Sequence, residues 1–300
     1  MISLATILFL ATTSFSNASS PLMIEGNNFS IAETQNIEFV PLLKIDPSLF
    51  NDPQMPQYLN LRKYQSIVKS QGVRGACTFF AFTSLVESIL LKKTHKEWDL
   101  SEEYLAWASK VQKKLRVLDE GSSVAVNAIT FQDFGFMLEH DMPYQTSWFE
   151  KGYPCEGQQK AEADPICFSH EGPNKSKPIY TEKHIVFEAV DSRSIDLVQA
   201  LVLRKTPITV SLIGHEEMWD QSKKTGDFFL NPKHKKECQL NRKLCSGHAV
   251  LAIGYDLKKR VVLIKNSWGE EWGSNGYGTI PFDYLDQMSS RKFLTGYILE

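Results

Sequence analysis

No charge of one sign dominates this 300-residue chain: 33 Lys and Arg stand against 35 Asp and Glu, a formal net charge of -2. The basic residues are spread among the acidic ones, so there is no electrostatic footprint for nucleic acid or for an anionic membrane. The five cysteines, Cys77, Cys155, Cys167, Cys238 and Cys245, include no CxxC pair, which argues against a zinc site built on them. Past the N-terminus, no stretch approaches the roughly 18 to 20 apolar residues that a spanning helix needs. No internal repeat and no low-complexity bias is visible. What remains is an ordinary globular composition, 42% hydrophobic and 23% charged, enough to bury a core as one large domain or two closely packed halves.

Residues 1–18 join an apolar run, Ile2 to Leu10, to a hydroxylated stretch ending Ser16-Asn17-Ala18, the small-x-small form of a cleavage site. They lack a Lys or Arg ahead of the run but otherwise read as a signal peptide, and a secreted or periplasmic protein is expected. An odd number of cysteines in an exported chain implies two bridges and one free thiol. Cys155 with Cys167 and Cys238 with Cys245 each close a short loop rich in Gly, Pro, Lys and Asn, so these pairings are expected, leaving Cys77 free. Residues 19–56 carry Pro21, Pro41, Pro47, Pro53 and Pro56 without a sustained helical period and read as a linker or short pro-segment over the surface.

From Cys77 the texture changes. Phe79, Phe80, Phe82, Leu85, Val86, Ile89 and Leu90 recur at three- and four-residue steps after the breaks at Gly72 and Gly75, which predicts a helix apolar on more than one face and therefore central. Ser101 ahead of Glu102-Glu103-Tyr104 is placed to cap a second helix. A third is expected from Val124 to Leu138. The composition of 155–178 is that of a long surface loop. Ile208 to Ile213, Ala249 to Tyr255 and Val261 to Lys265 are short Val- and Ile-rich runs between turn residues, so the second half reads as mostly strand. The whole is α+β, a helical N-terminal lobe and a strand-rich C-terminal lobe with a cleft between them.

A thiol is a nucleophile only as thiolate, and a helix N-terminus is one of the devices that favour that form. Cys77 opens the central helix. Its segment, Gln71-Gly72-Val73-Arg74-Gly75-Ala76-Cys77-Thr78-Phe79-Phe80-Ala81-Phe82, resembles the nucleophile motif of papain-like cysteine peptidases. Two further segments are similar to that family: Ser246-Gly247-His248-Ala249-Val250 and, most specifically, Asn266-Ser267-Trp268-Gly269-Glu270-Glu271-Trp272-Gly273. The resemblance covers roughly 57–300 and marks that span as the peptidase domain. It implies that Cys77 attacks a peptide carbonyl, that His248 accepts and returns the proton, and that Asn266 holds the imidazole, with Trp268 covering that bond. It also implies that the Gln71 side chain and the Cys77 backbone N–H donate to the oxyanion, and that Gly121 and Ser122 pair with the substrate backbone. A peptide or protein substrate is implied, and neither cofactor nor metal.

The departures are specific. Arg74 stands where many members have a disulfide cysteine, no partner cysteine precedes Gly121, and Thr78 replaces a common aromatic. This Arg form resembles one found among prokaryotic members. Cys77 and His248 are 171 positions apart, beyond the roughly 130 to 150 of the type, an excess the cysteine-bounded loops can absorb. Residues 19–56 lack the helical pattern of the usual inhibitory prodomain. Two other readings keep the same residues: a thiol acyltransferase and an inactive papain-like binding module. With Cys77 at a helix end opposite His248, the expected resting state is a thiolate–imidazolium pair.

Overall fold

The structure, a computed structural model, describes residues 40–46, 48, 53–115, 120–147, 151–152, 155–158, 172–240, 244–289 and 292–299. Helix α1, Cys77–Thr94, has Phe79 to Leu90 buried without interruption and ends where His95 turns left-handed, φ 55°. A helix apolar all round cannot lie at a surface. It is instead walled by α2, Glu102–Trp107, and α3, Val124–Phe134, on one side, and by Leu251, Ile253 and Leu294 of the sheet on the other. Ser101 caps α2 as expected, its hydroxyl accepting the Tyr104 N–H at 2.9 Å.

Helix α3 is four residues shorter than expected. Gly135 adopts φ +70°, and a Cβ there would lie 2.0 Å from the Tyr180 carbonyl oxygen. Phe136 and Tyr180 instead exchange backbone hydrogen bonds, both 2.8 Å. That pairing takes over the chain which the apolar pattern alone would continue as helix.

The second half is a seven-stranded sheet built from β1 (Tyr58–Asn60), β2 (Ile185–Val190), β3 (Ile208–His215), β4 (Cys245–Asp256), β5 (Val261–Lys265), β6 (Tyr277–Pro281) and β7 (Phe293–Ile298). Its order is β2-β7-β3-β4-β5-β6, with β1 added to β4, and the named strands pair antiparallel. Gly254 admits β1, because a Cβ there would lie 2.0 Å from the Leu59 carbonyl oxygen. This half is less purely strand than its sequence reads: α4 (Ser194–Arg204), α5 (Glu216–Thr225), α6 (Pro232–Leu240) and α7 (Phe282–Met288) alternate with the strands. Leu197, Val198, Ala200 and Leu201 of α4 and Phe282, Tyr284 and Leu285 of α7 close a second core over the sheet. The architecture is α+β, with the helical N-terminal and strand-rich C-terminal lobes expected.

Between residues 40 and 46, Leu42 makes a parallel bridge to Ala189 and Leu43 is buried in the sheet-side core. Residues 1–39, the expected signal peptide among them, lie outside the described residues. No helix among the described residues is long and apolar enough to cross a membrane.

Candidate active site

Cys77 is the first residue of α1. The preceding Ala76 offers no side-chain cap; the Phe79 N–H donates to the Ala76 carbonyl at 2.9 Å, and the Cys77 and Thr78 N–H groups face the sulfur. Among the described residues Cys77 is the free cysteine. Burial pushes its thiol up, while the backbone N–H groups of Ala249, Thr78 and Cys77 itself pull the other way. The Ala249 contact matters for placement: Ala249 follows His248 on β4, so the start of the helix and the middle of that strand meet at the sulfur.

His248 is held inside β4 by its register against Leu212 of β3, so the strand begins three residues earlier than the histidine rather than at it. Its Nε2 is 2.8 Å from Asn266 Oδ1, and the same oxygen accepts the Ser267 backbone N–H at 2.8 Å. An amide nitrogen in that place would face a donor, so the assignment of oxygen is fixed. Nε2 therefore carries the ring proton and Nδ1 is the lone pair available as a base. Asn266 is aimed by the end of β5 immediately before it and by its own N–H donating to the Gly276 carbonyl, 2.9 Å. Burial pushes the His248 imidazole down to about 4, with the Asn266 bond opposing.

Taken singly, then, each group is biased toward its neutral form, against the expected thiolate–imidazolium pair. An ion pair would rest on the mutual attraction of the two charges and on the helix end, and groups that interact in this way titrate as one unit.

Trp268 stacks on the His248 ring, centroids 4.4 Å apart at 26°. Trp219 of α5 meets the same ring edge-on at 5.5 Å and 74° and meets Trp268 at 5.8 Å, with its indole N–H donating to Ser246 Oγ at 2.9 Å. Trp219 is absent from the sequence reading because it sits in a polar helix, where only a lone exposed aromatic would have marked it.

Gln71 is buried, its Oε1 accepting the Ser267 hydroxyl at 2.7 Å and its Nε2 donating to the Arg74 carbonyl at 2.8 Å. A primary amide has two N–H donors, so one remains for the cleft. Ser122 donates to Asn127 Oδ1 at 2.7 Å, and Asn127 Nδ2 donates to the Thr78 carbonyl at 3.0 Å. That relay brings the Gly121–Ser122 segment to the residue beside Cys77. The Gly121 carbonyl accepts from Lys110 Nζ at 3.1 Å.

Sequence reasoning also passed over the buried ions behind the site. Lys265, one residue before Asn266, donates to the Ser66 carbonyl and hydroxyl at 3.0 and 2.9 Å, and burial pushes its ammonium down to about 8. Lys69 joins Glu87 of α1 at 3.1 Å, Glu102 of α2 at 3.1 Å and Asp99 at 2.7 Å. Burial pushes the Glu102 carboxyl up to about 7 against the Lys69 charge. A lysine or glutamate inside an apolar run reads as a solvated face, and nothing in its own segment names a partner thirty residues away.

Cys238 and Cys245 form the expected bridge, Cα atoms 5.6 Å apart. Cys155 is disulfide-bonded; its expected partner Cys167 lies outside the described residues. Beside the Cys238–Cys245 bridge, His215, His234 and Glu237 bring potential metal ligands within 4.8 Å of one another. Their geometry is wrong for one ion. The two rings stack at 4.3 Å and 11°, whereas an ion must lie in the plane of each ring it binds. His215 Nδ1 already accepts the Glu217 N–H at 3.2 Å, which leaves the proton on Nε2.

A thiol at a helix N-terminus, touching the strand that carries an amide-oriented imidazole, has the parts that nucleophilic chemistry at sulfur uses. The chain belongs to the papain family of cysteine proteases, whose family model matches residues 55–288. It is 28% identical to cathepsin R of Mus musculus over 231 residues, 74% of this chain and 59% of that protein. It is 25% identical to papain of Carica papaya over 232 residues, 75% of this chain and 55% of that one. It thus spans less than two thirds of the length of these relatives. Among solved structures, xylellain, a cysteine protease from Xylella fastidiosa, superposes with TM-score 0.68 at 18% identity, covering 96% of this chain and 100% of that one. The Carica candamarcensis protease in complex with E-64 gives 0.57 at 20%, covering 82% and 100%.

Proposed function

We propose that the protein is a thiol-dependent peptidase that hydrolyses peptide bonds through a thioester acyl-enzyme. The observation that carries this is the meeting of the uncapped start of α1 with β4, Cys77 against Ala249, while His248 is held by Asn266 at 2.8 Å. In this reading Cys77 Sγ attacks the carbonyl carbon and its proton passes to His248 Nδ1. The oxyanion takes hydrogen bonds from the second Gln71 amide hydrogen and the Cys77 N–H. His248 returns the proton to the leaving amine, and the C–N bond breaks. Water then enters, gives a proton to His248 and attacks the thioester carbonyl; the acid leaves and the proton returns to sulfur. Asn266 keeps Nδ1 toward the thiol, Trp268 keeps water off the Nε2 bond, and Gly121 and Ser122 bind the substrate backbone.

The family membership supports peptide substrates, and the Cys238–Cys245 bridge supports an oxidising compartment, hence a secreted or periplasmic location. On the same reading residues 1–18 are a signal peptide, 19–56 a linker or short pro-segment, and 57–300 the peptidase domain with a prokaryotic-type Gln-Gly-x-Arg-Gly-x-Cys motif. The test is peptide-library cleavage by the parent and by Cys77→Ala, with labelling by an epoxide of the E-64 type. Hydrolysis and covalent labelling are expected in the parent and in neither case in Cys77→Ala. Undiminished turnover in the variant sinks the assignment. Adding a primary amine and weighing the products separates hydrolysis from acyl transfer.

A further inference from the structure

Gln71, Arg74 and Cys77 stand three residues apart in a loop that Gly72 turns with φ +58°. The loop has little ladder bonding; the Gln71 N–H to Ser267 carbonyl bond, 2.9 Å, ties only its start. The rest is held by side chains around a single buried guanidinium. Arg74, 3% exposed, donates from Nη1 to Glu103 Oε2 at 2.5 Å and to the Gln145 carbonyl at 2.6 Å. Its Nε lies 3.6 Å from Glu120 Oε1, and the other oxygen of Glu120 accepts the Gly75 N–H at 2.8 Å. The Tyr144 ring lies 4.6 Å under the guanidinium, and its hydroxyl donates to the Gln71 carbonyl at 3.0 Å. The Arg74 carbonyl takes one hydrogen of the Gln71 amide. Both main-chain and side-chain positions of Gln71, and the peptide leading into Cys77, are thus tied to Arg74 or to a group that Arg74 holds.

We propose that Arg74, locked by Glu103 and Glu120, is the positioning residue of the oxyanion hole. It touches neither thiol nor substrate; it fixes where the free Gln71 hydrogen and the Cys77 N–H point. Glu120 directly precedes Gly121, so the same ion pair joins the oxyanion loop to the segment proposed to bind substrate, the two places a covalent cysteine bridge would otherwise have to join. A lysine cannot do this, because only the planar guanidinium offers donors toward Glu103, Gln145 and Glu120 at once.

The inference rests on the peptidase reading. The test is turnover per active site, counted by titration with an irreversible epoxide, for Arg74→Lys, Glu120→Gln, Gln71→Ala and the double variant Gln71→Ala/Arg74→Lys. Arg74→Lys is expected to lower kcat by about tenfold to a hundredfold, approaching the loss of one oxyanion donor, with KM within about twofold. Iodoacetamide should still alkylate Cys77 at the parental rate. The double variant should lose less than the product of the two single losses, since the substitutions share the Gln71 donor. If Arg74→Lys does not fold, Glu120→Gln must give the same kcat loss. Unchanged kcat per titrated site, with only the active fraction reduced, overturns positioning in favour of a purely structural role, as do additive losses in the double variant. No hydrolysis by the parent removes the peptidase reading instead, which keeps the two failures distinguishable.

Discussion

The two walls of the cleft are built from different materials. Behind Cys77 the helical wall is held by buried charge: Arg74 on Glu103 and Glu120, and Lys69 on Glu87 and Glu102. Behind His248 the sheet wall carries one buried ammonium, Lys265 on the Ser66 oxygens, and is otherwise held by strand register and by rings, Trp268 face-on, Trp219 edge-on and Trp272 5.9 Å behind Trp268. A ring contact leaves no uncompensated charge when trimmed and loses its area gradually. A buried ion pair is all or nothing, because removing one partner strands the other in low dielectric. The nucleophile's wall should therefore be the brittle one and the base's wall the tolerant one.

The largest effect that would break this contrast lies at Lys69. Lys69→Met leaves Glu87 and Glu102 buried without their cation and should cost about 3 to 5 kcal/mol of stability, read from the denaturant midpoint. A cost near zero means the buried charges do not hold that wall. Next is Gln71→Ala, which should raise the barrier by about 3 kcal/mol in kcat with a much smaller change in midpoint; an unchanged rate removes its oxyanion role. The smallest is Trp268→Leu, which keeps apolar cover but loses the stack and should cost about 0.5 to 1.5 kcal/mol. A loss as large as that for Lys69→Met would make the two walls alike.

Legibility in the sequence follows the same division. The residues proposed for chemistry stand in short, contiguous motifs, so Cys77, His248, Asn266, Gln71 and Trp268 could be named before any coordinates. Helix α1 and strands β3 to β5 were legible because each buries a continuous apolar run, which a period or a β-branched stretch displays directly. The far end of α3 was not, since it depends on Phe136 pairing with Tyr180, forty-four positions on. The buried ions were not legible either. Arg74 was visible only as a missing cysteine; its partners Glu103 and Glu120 lie 29 and 46 residues away, and tertiary folding alone brings them together. Trp219 was hidden for the same reason, inside the otherwise polar α5.

Burial opposes charge on Cys77 and on His248 separately, so on the proposed mechanism reactivity at neutral pH rests on their coupling. The pair shares one proton between two macroscopic steps. The lower step follows His248, pushed from 6.5 to about 4; the upper follows the Cys77 thiol, which burial pushes up. Below the lower step the pair holds two protons and the thiolate is lost; above the upper step it holds none and the general acid is lost. The direct measurement is the rate of Cys77 alkylation by iodoacetamide against pH, in the parent and in His248→Ala. A coupled pair predicts a parental rate that rises near pH 4 and stays level through pH 8, while His248→Ala keeps rising about tenfold per pH unit across that range. Superimposable curves, with the parent reacting like an isolated thiol, would contradict the coupling and with it the proposed mechanism.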